Sequence, residues 1–138
     1  MSAIYGVGVL DIGMKAGANA KTTTSQYKCC VISADNTAQV VATATAGLAV
    51  GVIQSYQSSS SEAVTVRMLG VAKVTCESSV TAGRPIVSGE LGTVAELAIS
   101  STVVTVGTLK TIIGYARESG DTNTVISAIV IPSMYPAG

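Results

Sequence analysis

Few residues in this chain have the type and spacing that covalent chemistry needs. It contains no His, so the usual proton shuttle near neutral pH and every His-dependent nucleophilic triad are missing. Paired carboxylates can act as acid and base, yet Glu62, Glu77, Glu90, Glu96 and Glu118 each fall beside turns or strand ends, the places of solvated surface charge. Lys28, Lys73 and Lys110 lie in or near strand patterns, where burial can turn a Lys into a nucleophile; an orientation toward water is the plainer expectation. Gly6 and Gly8 in Tyr5-Gly-Val-Gly-Val-Leu10 open like a dinucleotide loop, but no third Gly arrives at the required place and no helix follows. Thr22-Thr23-Thr24-Ser25 after Lys21 lacks the Gly-rich loop of a phosphate site and reads as a flexible polar linker. Cys29, Cys30 and Cys76 are odd in number. The adjacent pair is too strained to bridge, three Cys without His do not make a metal site, and small buried hydrophobes are the expectation. An enzyme is therefore not expected, nor a cofactor or a metal.

Composition points the same way. Charged residues are 12% of 138, about half the share of an average soluble domain, and mean hydropathy is +0.53. Eight Lys plus Arg balance eight Asp plus Glu, spread singly, so no basic stripe exists to neutralise phosphates and nucleic acid is not an expected partner. The longest charge-free stretch, Asn36 to Ser61, is diluted by Thr, Gln, Ser and Gly and is too polar to span a bilayer. Met1 to Tyr5 has no basic residue ahead of its apolar run, and Asp11 follows soon after, so synthesis in the cytoplasm without a secretory signal is expected. So little charge with so much apolar content implies surface hidden against other protein subunits.

The elements that would carry such contacts are short strands. β-Branched residues dominate the apolar runs and turn residues interrupt them, while helical spacing is nowhere sustained. Strands are expected over Gln26 to Ser33, Ala38 to Ala44 (paired through the turn Ala34-Asp35-Asn36), Leu48 to Ser55, Val64 to Cys76, Arg84 to Ser88, Thr93 to Leu97, Thr102 to Gly107, Ile112 to Glu118 and Thr124 to Ile131. Gly70 marks a bulge or bend, Pro85 puts the start of its strand at an edge, and any helix is a turn or two near Glu96. With aromatics at 4%, all Tyr, the core must be built from Val, Ile, Ala, Leu and Met. The organisation expected is an extended N-terminal arm (1–25), a β-rich domain (26–131) and a C-terminal tail (132–138), because Pro132 and Pro136 cannot extend a ladder.

Three pieces in order, Gly47-Leu-Ala-Val-Gly-Val-Ile53, Ala63-Val-Thr-Val-Arg-Met-Leu-Gly-Val-Ala-Lys-Val74 and Thr81-Ala-Gly-Arg-Pro-Ile-Val87 with Gly92 beyond, resemble the phage capsid decoration (cement or head-stabilising) proteins. Ile112 to Glu118 followed by Thr124 to Ile131 is similar to the closing hairpin of that family. The resemblance implies an all-β fold with a small β-barrel or β-clip-like ("β-tulip") body. It implies a homotrimer on the capsid exterior of a virion, with the major capsid protein as partner. Relatives carry an acidic residue after the Ala-Gly turn where this chain has Arg84. The family's habit of reaching out with a terminal arm makes Ile4, Tyr5, Val7, Val9, Leu10, Asp11, Lys15, Arg84, Met134 and Tyr135 the candidate contact residues. Alternatives from the same structural class are a head fibre, tail or adaptor subunit; a small carbohydrate-binding module stands further off, since sugars stack on aromatic rings and only Tyr5, Tyr27, Tyr56, Tyr115 and Tyr135 are available.

Overall fold

A computed structural model of the chain describes residues 8–42, 49–59, 62–97 and 108–137, with backbone alone for 108–111 and 133–137. Among the described residues nine strands form one mixed sheet: β1 (Leu10–Ala16), β2 (Cys29–Ala34), β3 (Thr37–Val40), β4 (Gly51–Ile53), β5 (Ala63–Thr75), β6 (Pro85–Ser88), β7 (Val94–Glu96), β8 (Thr108–Ala116) and β9 (Val125–Ala137). The all-β expectation holds, and the barrel-like body takes the form of two rings that share one strand. In the first ring β1 pairs with β3, β3 with β2, β2 with β4, β4 with β5, and β5 again with β1. In the second, β5 continues into β9, β8, β6 and β7. A parallel bridge between Cys76 and Val94 then returns β7 to the end of β5, reinforced by the Glu77 N–H donating to Val94 O at 2.8 Å.

The shared strand β5 is long because its alternation never breaks. Val64, Val66, Ala72 and Val74 are buried, while Leu69, Val71 and Lys73 point out. Its first half serves the first ring and its second half the other, and the change of partner falls at Gly70, where a bend was expected. Gly70 has φ of +106°, a region that L side chains rarely enter, and a Cβ there would run into Gly8 O and sit 3.0 Å from Val9 Cα. The chain entering β1 thus lies directly against β5 where β5 changes partner.

Each ring closes on its own core. Met14, Ala16, Ala20, Cys30, Ala38, Ile53, Val64 and Val66 fill the first; Val74, Ile86, Val94, Ile113, Ile126, Ala128 and Val130 anchor the second. Successive strand residues face opposite ways, so Cys29 and Val52, neighbours of inward Cys30 and Ile53, face out of the first ring and join the second core. Burying each Val or Ile is worth about 1.5–3 kcal/mol, and this arrangement lets β4 and the start of β2 bury both faces. The adjacent cysteines are therefore core residues of different cores, as small buried hydrophobes.

Several expectations are corrected. Leu10–Ala16, expected within an arm leaving the body, is β1, hydrogen-bonded on both sides. The segment Thr22 to Ser25 is a fixed turn: the Ser25 hydroxyl is buried and lies 2.9 Å from Ala20 O and 2.7 Å from Thr22 O. The tail does extend a ladder, since β9 pairs with β8 out to Thr108–Ala137. Pro132 falls where the register shifts between Ile112 and Gly114, and Pro136 lies past Val130, the last residue of β9 that pairs with β5. Bulges and edges are the places where a strand tolerates a residue without N–H. Pro85 is the first residue of β6, which lies between β8 and β7 rather than at an edge. Glu96 belongs to β7, and the short helical turns are 3-10 turns at Ala18–Ala20 and Glu90–Gly92. The strand expected over Thr102 to Gly107 lies outside the described residues.

Candidate interaction face

The expected contact residues do not form one cluster. Ile4, Tyr5 and Val7 lie outside the described residues, as do the side chains of Met134 and Tyr135, whose backbones pair with Thr111 and Lys110 in the β8–β9 ladder. Val9 and Leu10 are exposed, and Leu10 opposes exposed Leu69 across the β1–β5 pair. Asp11 is engaged within the chain. Arg67 donates Nε–H to Asp11 Oδ1 at 2.7 Å and Nη2–H to Oδ2 at 2.8 Å, and this hydrogen-bonded guanidinium holds the Asp11 carboxyl below its ordinary value. Arg84 Nε lies 3.6 Å from Glu96 Oε1. Lys15 is exposed at the β1 edge, its N–H donating to Asn36 O at 2.7 Å. As partner-facing charges, Asp11 and Arg84 are thus already committed.

The carboxylates expected to be plain solvated charge have structural duties instead. Glu77 Oε1 accepts the Glu90 N–H at 2.9 Å, Glu96 Oε2 accepts the Thr81 N–H at 3.0 Å, and Glu118 Oε1 accepts the Ser127 N–H at 2.6 Å. Each secures a turn between strands. The Ser127 hydrogen bonds, with Lys73 and Arg117 near, lower the Glu118 pKa.

The face that sequence reasoning missed lies on the outside of β5, β9 and β8. Register places Val71 opposite Ile129 and Ile129 opposite Tyr115. These three make an apolar row across the sheet, exposed by 43%, 38% and 47%. Ile131 continues it along β9, and Leu69 continues it along β5. The next row is Lys73, Ser127 and Arg117, with Lys73 opposite Ser127 and the Arg117 N–H donating to Ser127 O at 2.9 Å. Both cations are exposed, and neither has an ion-pair partner within 4.0 Å among the described residues. The signal was present in Thr124 to Ile131, where Val125, Ile129 and Ile131 are apolar on one side and Ile126, Ala128 and Val130 on the other; strands buried on both faces read this way.

Concave features offer little to a small molecule. A cavity of about 490 Å³ is walled by Asn19, Ser25, Lys28, Val41 and Leu91, but the Asn19 amide is already bonded to Val40 in both directions. Lys28 lines it, its pKa lowered by burial, without a carboxylate or thiol in the same wall. No cluster of three or more His, Cys, Asp or Glu that could hold a metal ion occurs among the described residues, and no helix there is long and apolar enough to cross a membrane.

Fold and face together define an all-β protein of two fused rings whose most developed surface feature is an uncovered apolar row beside two cations. No family model and no curated protein matches the sequence. Among solved structures, the chain is similar to the N base of the head fibre protein gp8.5 of bacteriophage phi29, with a TM-score of 0.53 and 17% identity over 89% of this chain and 94% of that one. At that identity the likeness shows the fold.

Proposed function

We propose that this chain is a structural protein of a phage virion that seats on the outer surface of the capsid as a homotrimer at quasi-three-fold positions and stabilises the major capsid protein lattice. The observation that carries the reading is the whole-length correspondence with a head fibre base. The order of strand pieces that resembles the decoration proteins supports it independently, as does a low-charge surface, which costs little to desolvate at subunit contacts. Synthesis is cytoplasmic, and neither nucleic acid nor membrane is a partner. The candidate capsid contacts are Ile4, Tyr5, Val7, Val9, Leu10, Lys15, Met134 and Tyr135; modest contacts repeated three times per trimer add up to high avidity.

The same correspondence favours a second reading, in which the chain is itself the base of a head fibre. Mixing the purified protein with expanded, undecorated phage capsids and imaging by electron microscopy separates the two. Density at every three-fold position, with a raised melting temperature of the capsid, supports the lattice-clamping role. Density restricted to sparse positions with a projecting stalk supports the fibre base. Capsids that bind nothing overturn both.

A further inference from the structure

The uncovered row on β5, β9 and β8 has a complement elsewhere on the same chain. The turn between β6 and β7 presents Leu91, the most exposed large apolar side chain among the described residues at 69%. Leu91 has φ of +52° and is followed by Gly92 at +74°. A left-handed backbone costs an L residue about 1–2 kcal/mol, and such a cost concentrates where the conformation serves a use. The corner is tightly held: the Leu91 N–H donates to Ala42 O at 3.2 Å, the Thr93 hydroxyl to Glu90 O at 2.6 Å, and the Glu90 N–H to Glu77. The Glu77 carboxylate is therefore held beside the projecting leucine, and exposed Glu90 precedes that leucine in the chain. The apolar row has the opposite dressing, with Lys73 and Arg117 along one side and only Glu118, bonded to the Ser127 N–H, set against them, so that cations outnumber carboxylates there. Both surfaces are exposed in one molecule, so they do not cover each other.

We propose that the outer face of β5, β9 and β8 is a contact between two copies of this chain, in which the Glu90–Leu91 corner of one copy seats on the Val71–Ile129–Tyr115 row of the next and its carboxylates meet Lys73 and Arg117. Two different patches meet, so the contact is head to tail and, with a three-fold rotation, closes into a ring. The inference rests on the trimeric reading above and gives that trimer its interface. Few charges and a central apolar anchor inside a polar rim are the make-up of a specific subunit contact.

Native mass, measured by size exclusion with light scattering, tests the inference on the full chain. The wild type is expected as a trimer. Leu91→Ser, Arg117→Glu and Glu90→Arg are each expected to weaken association roughly tenfold or more, the scale of one lost anchor or one like-charge clash. Combining Arg117→Glu with Glu90→Arg is expected to restore it. Unchanged circular dichroism melting of the single variants shows that they fold, and the restored double variant stands on its own if a single one does not. A wild type that is monomeric, single variants that assemble like wild type, or a double variant that fails to recover overturns the contact. Capsid binding, read in parallel, keeps the two claims apart. A ring built this way that ignores capsids removes the virion role and leaves the interface, and a monomer that binds capsids does the reverse.

Discussion

Replacing Gly70 by Ala strikes the point where β5 passes from one ring to the other. The backbone there, at φ of +106°, is a left-handed conformation, and the new methyl would meet Gly8 O and Val9 Cα. The conformation costs about 1–2 kcal/mol for an L residue, and pushing the Val9 segment off β5 costs about 1–3 kcal/mol as overpacking does. The sum, about 2–5 kcal/mol, corresponds at roughly 3–4 °C per kcal/mol for a chain of this size to a fall in melting temperature of roughly 6–20 °C. Gly13→Ala is the control, because its Cβ meets nothing within 4 Å and its φ is not left-handed; it should be neutral or raise stability by about 0.4–1 kcal/mol through the unfolded chain. Thermal melts of the two variants followed by circular dichroism decide the matter. If Gly70→Ala melts within about 2 °C of wild type, or is lowered no further than Gly13→Ala, the close approach of Gly8 and Val9 to β5 does not constrain the fold.

The Asp11–Arg67 pair should act as an acid-sensitive brace. Since its folded pKa lies below the ordinary 3.8, its stabilisation is present above that value and is lost as pH falls through the lower folded one. The pair is partly solvated, so the difference in stability between wild type and Asp11→Asn should be at most about 1 kcal/mol at neutral pH, shrinking toward zero in acid; urea melts at pH 7 and below pH 3 measure it, and a difference that grows in acid reverses the sign of the argument. The cysteines should be inert in the folded protein. All three are buried, and burial pushes the Cys30 thiol up to about 12, Cys29 still higher, and Cys76 upward. A thiol reagent at pH 8 should leave the native chain unmodified for hours and label three thiols in denaturant; rapid labelling without denaturant would contradict the two-core placement.

Sequence carried the strand pattern well because inward and outward positions alternate along β5 from Val64 to Val74 and along β9 from Val125 to Ile131, and because Asn36 and Gly70, both at positive φ, mark the turn and the change of partner that the structure has. It failed at the ends. Leu10 to Ala16 carries Gly13 and two charged residues, Asp11 and Lys15, so nothing local distinguishes a strand held by two distant partners from a free arm. Pro132 and Pro136 carry a strong local veto on strand, and only the register of β8 against β9 shows that one sits at an irregularity and the other beyond the reach of β5. The closure into two rings depends on long-range pairing, Cys76 with Val94 among it, which no periodicity records. The exposed row was half visible: apolar residues on both sides of Thr124 to Ile131 announce two covered faces, but one chain supplies the cover for only one of them.

Because β5 is a stave of both rings, the two halves of the molecule are joined by an unbroken covalent backbone and not by a linker. Tension applied at one end runs along that strand into the other, across hydrogen bonds loaded in parallel on either flank. Pulling on one ring therefore loads the other through that one strand, so the two cores cannot separate without breaking the pairing of β5 with its neighbours.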